Sequence, residues 1–233
     1  MIRFTPKMEI LPEAQKKLWP ELASAKSLGF VLYGGTAIAL RLGHRQSIDF
    51  DFFTDKPLDK VSIESAFPFL ATSTVLQDST NTFEVLVPYG DNRARHVKVS
   101  FFGMIDVGRV GGSELTNDDV LQVASLDDLM AMKVKVLLQR VEVKDYRDIA
   151  AMIRAGVSLS KGLAAAQAMW PARFQPSESL KALVYFEGGD LHELTLEEKE
   201  SLVDAVSNVD DLPGVDLVIG ALCGSTEDID DLD

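Results

Sequence analysis

The sequence predicts an α/β (α+β) chain: a mixed sheet flanked by helices, followed by a helical C-terminal part. Short apolar, β-prone runs at 30–33, 47–53, 71–77, 82–88 and 97–102 crowd the first half. From Ser125 onward the apolar residues recur at helical spacing instead. With 233 residues, 46% of them hydrophobic, the chain is long enough to bury a sizeable core.

Residues 11–28 (LPEAQKKLWPELASAKSL) read as helix, interrupted or restarted at Pro20, which has no N–H to give an interior turn. Phe30 to Tyr33 form a β-prone run that stops at Gly34-Gly35, and 36–42 (TAIALRL) form a short helix with Thr36 at its start and Gly43 as its stop. Ser47 to Phe53 alternates, so Ile48, Phe50 and Phe52 face a core while Ser47, Asp49 and Asp51 face the other way. Residues 57–70 suggest a helix broken near Pro68. Strands are expected at 71–77, 82–88 and 97–102, with turn chemistry at Tyr89-Gly90-Asp91-Asn92. Ser125 with Asp128 signals a helix start, and that helix should run to about Arg140. Further helices are expected over 144–156, closing at Gly156, over 159–169 and 177–185, and from a Thr195/Glu198 capping box through Val206.

The expected division is 1–120 as the α/β core, 121–224 as the helical part, and 225–233 as an acidic, disordered tail. Residues 188–233 hold fourteen acids and one lysine, whereas 1–187 hold twenty-two charges of each sign. The net charge of −13 therefore belongs to the last fifth, and the body is neutral. One cysteine, Cys223, excludes a disulfide framework; its apolar run LVIGALCG predicts a buried structural thiol. The start MIRFTPKMEI carries no apolar signal core and no stretch is long enough to span a membrane, so a cytoplasmic protein is expected. Trp19 and Trp170 fall in helical patterns and read as packing residues.

Chemistry concentrates at SIDFDFF (47–53). Carboxylates at i and i+2 of a strand share a face with Cα atoms about 6.7 Å apart, close enough to converge on a hard divalent cation. Upstream, Gly34-Gly35 lead from a strand into a helix, where backbone amides can approach a phosphate. Arg41, His44 and Arg45 flank the strand and could grip phosphate, or pair with acids and cap the helix. Lys133, Lys135, Arg140, Lys144 and Arg147 crowd one helical hairpin with Asp145 and Asp148, as a phosphate cradle or as a solvated charged face.

The segment YGGTAIALRLGHRQSIDFDFF (33–53) resembles the first motif of the AbiEii/AbiGii-type nucleotidyltransferases, in the polymerase-β-like nucleotidyltransferase superfamily. MKVKVLLQRVEVKDYRDIAAMI (132–153) is similar to the family's second, helical motif, and with ALVYF (182–186) the resemblance spans most of 28–190. It implies a nucleotidyltransferase-like fold and Mg²⁺-dependent transfer of an NMP from an NTP to an acceptor, RNA such as tRNA or protein. It also implies a toxin with a cognate antitoxin partner. By position, Gly35 and Thr36 match the phosphate-holding turn and Asp49 and Asp51 the metal carboxylates, with Gly34 and Arg45 as further nucleotide-binding candidates beside them. Lys133 matches a lysine on nucleotide phosphate, and Asp145 and Asp148 match the acids of the second motif. One position departs from the pattern: where the superfamily usually places a third carboxylate, HVKVSFFG (96–103) has Ser100, which leaves Asp145, Asp148 or Glu84 to fill that role. A non-catalytic relative and a small-molecule nucleotidyltransferase remain open alternatives.

Overall fold

A computed structural model of the protein describes residues 2–89 and 96–223. The chain forms two compact units: one takes 2–108, 112–124 and 219–223 of the described residues, the other Arg109–Gly111 and Ser125–Val218. The expected tail at 225–233 and residues 90–92 of the expected turn lie outside the described residues.

The first unit is built on a mixed sheet. Its strands are β1 (Arg3–Phe4), β2 (Val31–Tyr33), β3 (Asp49–Phe53), β4 (Thr74–Ser79), β5 (Thr82–Pro88), β6 (His96–Phe102), β7 (Glu114–Thr116) and β8 (Gln122–Val123). They lie in the order β1-β7-β8-β2-β3-β6-β5-β4. β3 runs parallel to β6 and antiparallel to β2, while β6, β5 and β4 form an antiparallel meander. The helices of this unit are α1 (Glu13–Leu18), α2 (Ser24–Ser27), α3 (Gly34–Leu42) and α4 (Lys60–Ala66). A 3₁₀ turn over Trp19–Ala23, with Pro20 at its start, separates α1 from α2, as Pro20 predicts.

Burial follows strand alternation. Phe50 and Phe52 of β3 are sealed with Val99 and Phe101 of β6, and Phe52 stacks on Phe101 with centroids 5.5 Å apart. Each buried ring contributes roughly 1.5–3 kcal/mol by leaving water. This anchors β3 so that its odd residues, Asp49 and Asp51, are held on the opposite face. Ile48 departs from expectation: β3 begins only at Asp49, and Ile48 is 61% exposed. β4 also begins later than expected because Pro68–Thr72 closes as a 3₁₀ turn, and all six β4 residues are exposed. β1, β7 and β8 are two or three residues long, too short for any alternation to announce them. Arg41 ties them to α3: it pairs with Glu114 at 3.0 Å, donates to the carbonyls of Val123 and Ala124, and lies over the Phe4 ring.

The second unit is helical: α5 (Leu126–Val136), α6 (Val143–Arg154), α7 (Leu159–Met169), α8 (Pro176–Leu183) and α9 (Leu196–Ser207). Ser125 caps α5 through Asp128 N, and Thr195 with Glu198 forms the full capping box of α9. α5 ends short of Arg140, because i→i+3 bonds at Leu138 and Gln139 tighten its last turn. Gly156 follows α6 at φ 88°, the left-handed stop its position predicts. No helix among the described residues is long and apolar enough to cross a membrane.

Candidate functional site

In the sheet unit, α3 starts beside Asp51. Gly34 has φ 76°, and a Cβ built there would lie 2.6 Å from Asp51 Oδ2. Only glycine lets the first turn of α3 come this near the carboxylate. Tyr33, the N-cap, offers no side-chain cap, so the positive end of the helix meets the acidic strand uncapped by a side chain. Gly34 and Gly35 keep partial exposure, whereas Thr36 is buried. Thr36 Oγ1 hydrogen-bonds the carbonyl oxygen of Asp49 and lies 2.7 Å from Ser47 Oγ. The Thr36 side chain thus locks α3 to β3, and what it can offer a ligand is its backbone.

Across the sheet, Asp51 stands opposite Ser100 of β6, and Ser100 opposite Glu84 of β5. Asp49 stands opposite Lys98, two residues from Ser100 on the same face of β6. Lys98 Nζ pairs with Glu84 Oε1 at 2.9 Å. Burial raises the Asp51 carboxyl above its ordinary value and the charge of Asp49 raises it further; Ser100 and Lys98 pull the other way. For Lys98, burial opposes the charge, but Glu84 by hydrogen bond and charge, with Asp51 and Asp49, outweighs it and raises the ammonium's pKa. Ser100 Oγ, fully buried, acts on Asp51 without reaching hydrogen-bond geometry, and it has no hydrogen-bond partner among the described residues.

Two carboxylates on one strand face, one of them (Asp51) raised by burial and by its neighbour's charge, are a donor set for a hard divalent cation, which would relieve that strain. No three acid, His or Cys side chains among the described residues already converge as a closed cage. That suits Mg²⁺, which takes one or two carboxylates and completes its shell with water and substrate phosphate. The residues present therefore fit such an ion.

The second-motif residues gather in the helical unit. Lys133 Nζ lies 2.5 Å from Asp145 Oδ1 and 2.6 Å from Asp148 Oδ2, and both acids are fully buried. Arg140 adds bonds to Asp145 at 2.8 and 3.1 Å. Burial alone would raise Asp145; hydrogen bonds from Arg140 and Lys133 with their charges hold it below its ordinary value. This is a buried, paired cluster, neither a solvated face nor a uniform basic patch. Lys135 instead donates to the Arg173 carbonyl, Lys144 pairs with Glu142 and Arg147 with Glu198.

Arg45 donates to the Gln46 carbonyl at 2.9 Å at the edge of the α3–β3 connection. Trp19 is a packing residue as expected, its Nε1 giving a bond to Asp118. Cys223 is a correction: it is exposed and its thiol meets Gln122 Oε1 at 2.9 Å, because its apolar run is not buried as a whole, with Ile219 68% exposed and Leu222 sealed. Lys98 went unnoticed as a site residue in the sequence. Its signal was the alternation in HVKVSFF, which places Lys98 and Ser100 on one face.

A family model described as nucleotidyl transferase AbiEii toxin, of type IV toxin–antitoxin systems, matches residues 20–216. Protein aq_aa25 of Aquifex aeolicus (strain VF5) is 33% identical over 160 residues, 68% of this chain and 74% of that protein. MenT4, a nucleotidyltransferase toxin of Mycobacterium tuberculosis H37Rv, is similar in structure with a TM-score of 0.54 over 82% of each chain, at 13% identity. That likeness is one of fold, and it is the fold the sequence predicts.

Proposed function

The chain belongs to the AbiEii family of nucleotidyl transferase toxins, and from that premise we propose that it moves an NMP from an NTP to an RNA acceptor such as tRNA, with Mg²⁺, in the cytoplasm. The observation that carries the reading is the Asp49–Asp51 pair, fixed on one sheet face with Gly34 packed against Asp51. Asp49 and Asp51 would hold the ion, and backbone amides at Gly34, Gly35 and Thr36, with Arg45 beside them, would receive the triphosphate. When bound, the ion supplies neutralisation of phosphate charge as pyrophosphate leaves. Lys133, with Asp145 and Asp148, is the family motif's second set; its proposed role is a phosphate contact. A type IV system supplies a cognate antitoxin as the partner.

The test is incubation of the protein with each radiolabelled NTP, Mg²⁺ and total cellular RNA. Label should pass to RNA with wild type and fall at least about a hundredfold with Asp49→Ala or Asp51→Ala. Transfer that ignores both substitutions sinks the assigned site. A non-catalytic binding module has one observation in its favour, the serine at register with Asp51. It predicts Mn²⁺ and NTP binding that need Asp51, with no label passed to RNA, protein or small molecules.

A further inference from the structure

Ser100 sits where a third strand carboxylate would complete the Asp49–Asp51 site. It is fully buried, its hydroxyl lacks a hydrogen-bond partner among the described residues, and its neighbour across the next strand is Glu84. Strands lie about 4.8 Å apart, so Asp51 and Glu84 flank Ser100 with Cα atoms about 10 Å apart. A carboxylate at residue 100 would fill that interval; serine, the smaller side chain, leaves it open. Glutamate carries one methylene more than aspartate, which gives it the reach to cover the extra strand. Its carboxylate is turned toward Lys98, diagonal to it across the β5–β6 ladder, at 2.9 Å. Lys98 in turn stands in register with Asp49. One ammonium thus lies among three carboxylates on one face, with an unpartnered hydroxyl beneath.

We propose that Glu84 supplies the third carboxylate of this chain's divalent-cation site from β5, displaced by one strand past Ser100, and that the Lys98 ammonium competes with the cation for these acids. This rests on the metal-site reading above and extends it. It also accounts for the lack of a preformed three-acid cage among the described residues, since Glu84 is held by Lys98. Binding of the ion would free Lys98 from Glu84 and leave it beside the site as a cation available to phosphate.

The test is Mn²⁺ binding to the full chain by calorimetry, without nucleotide, with melting in EDTA as the folding control. Lys98→Met should tighten Mn²⁺ binding several-fold by removing the competitor. Glu84→Gln placed on that Lys98→Met background should weaken it at least about tenfold. The background matters because there Glu84 has no lysine to restrain. If Glu84→Gln has no effect on it, Glu84 is only the lysine's partner and the proposal is overturned. If Lys98→Met weakens binding, the competition is overturned. Asp51→Asn separates the two levels: loss of binding with Asp51→Asn but not with Glu84→Gln refutes this inference and leaves the metal-site reading standing. Binding indifferent to Asp51→Asn, or none in wild type and Lys98→Met alike, refutes both.

Discussion

Lys133→Met is the substitution whose consequence the structure specifies most fully. Methionine keeps the length and apolar stem of lysine but removes the ammonium that lies 2.5 and 2.6 Å from two fully buried carboxylates. Removing one partner of a buried ion pair costs about 3–5 kcal/mol, because the remaining charge stays desolvated. Arg140, still bonded to Asp145, offsets part of this, which places the expected loss near the lower end, about 3 kcal/mol. For a chain of this length that is a fall in Tm of about 6–12 °C. pH supplies the check on cause. Asp145 is held below its ordinary value, so its pairing adds stability above that value and loses it as pH falls through the folded one. The gap between wild type and Lys133→Met should therefore hold from pH 7 to about pH 4 and narrow below it. Urea denaturation followed by circular dichroism measures it. A gap below about 1 kcal/mol at pH 7, or one that widens with acid, refutes the view that Lys133 neutralises buried charge.

Gly34→Ala forces a side chain to φ 76° and puts its Cβ 2.6 Å from Asp51 Oδ2. The backbone alone costs about 1–2 kcal/mol, and displacement of Asp51 should cut label transfer at least about tenfold while circular dichroism stays native; unchanged transfer would show that the close approach is idle. Burial raises Asp128 to about 6 although Ser125 and the Val110 and Gly111 amides bond it, so the folded state holds its proton more tightly than the unfolded state. The contribution of Asp128 to stability should fall as pH rises from about 4 to about 6, by on the order of 3 kcal/mol, and level off above. Asp128→Asn, which does not titrate, should lack that slope in paired urea series at pH 4.5 and 7.5; parallel curves would contradict it.

Much of the architecture was legible in the residues. Proline at 20, glycines at 34, 43 and 156, and the caps at Ser125 and Thr195 mark element ends through local backbone chemistry, which needs no distant partner. The D-x-D alternation likewise placed Asp49 and Asp51 on one face, opposite Phe50 and Phe52. Ile48 and Cys223 were misread because burial is a property of what packs against a residue, and apolar neighbours in sequence do not supply it. β1, β7 and β8 exist only through their pairing and through Arg41, none of which a run of two or three residues can encode.

The sequence by itself determined the family, the strand that carries the acids and the helix turn that precedes it, because each rests on contiguous residues with a fixed period. The tertiary structure decided what surrounds those acids. Register across β3, β6 and β5 set Ser100 beside Asp51 and Lys98 against Glu84. Burial turned Lys133, Asp145 and Asp148 from a stretch of helical charges into a closed ion cluster. The first depends on β3 and β6, far apart in the chain, coming into register, and the second on how deeply one helical hairpin is buried; Coulomb energy and desolvation grow with that burial, which one-dimensional spacing does not report.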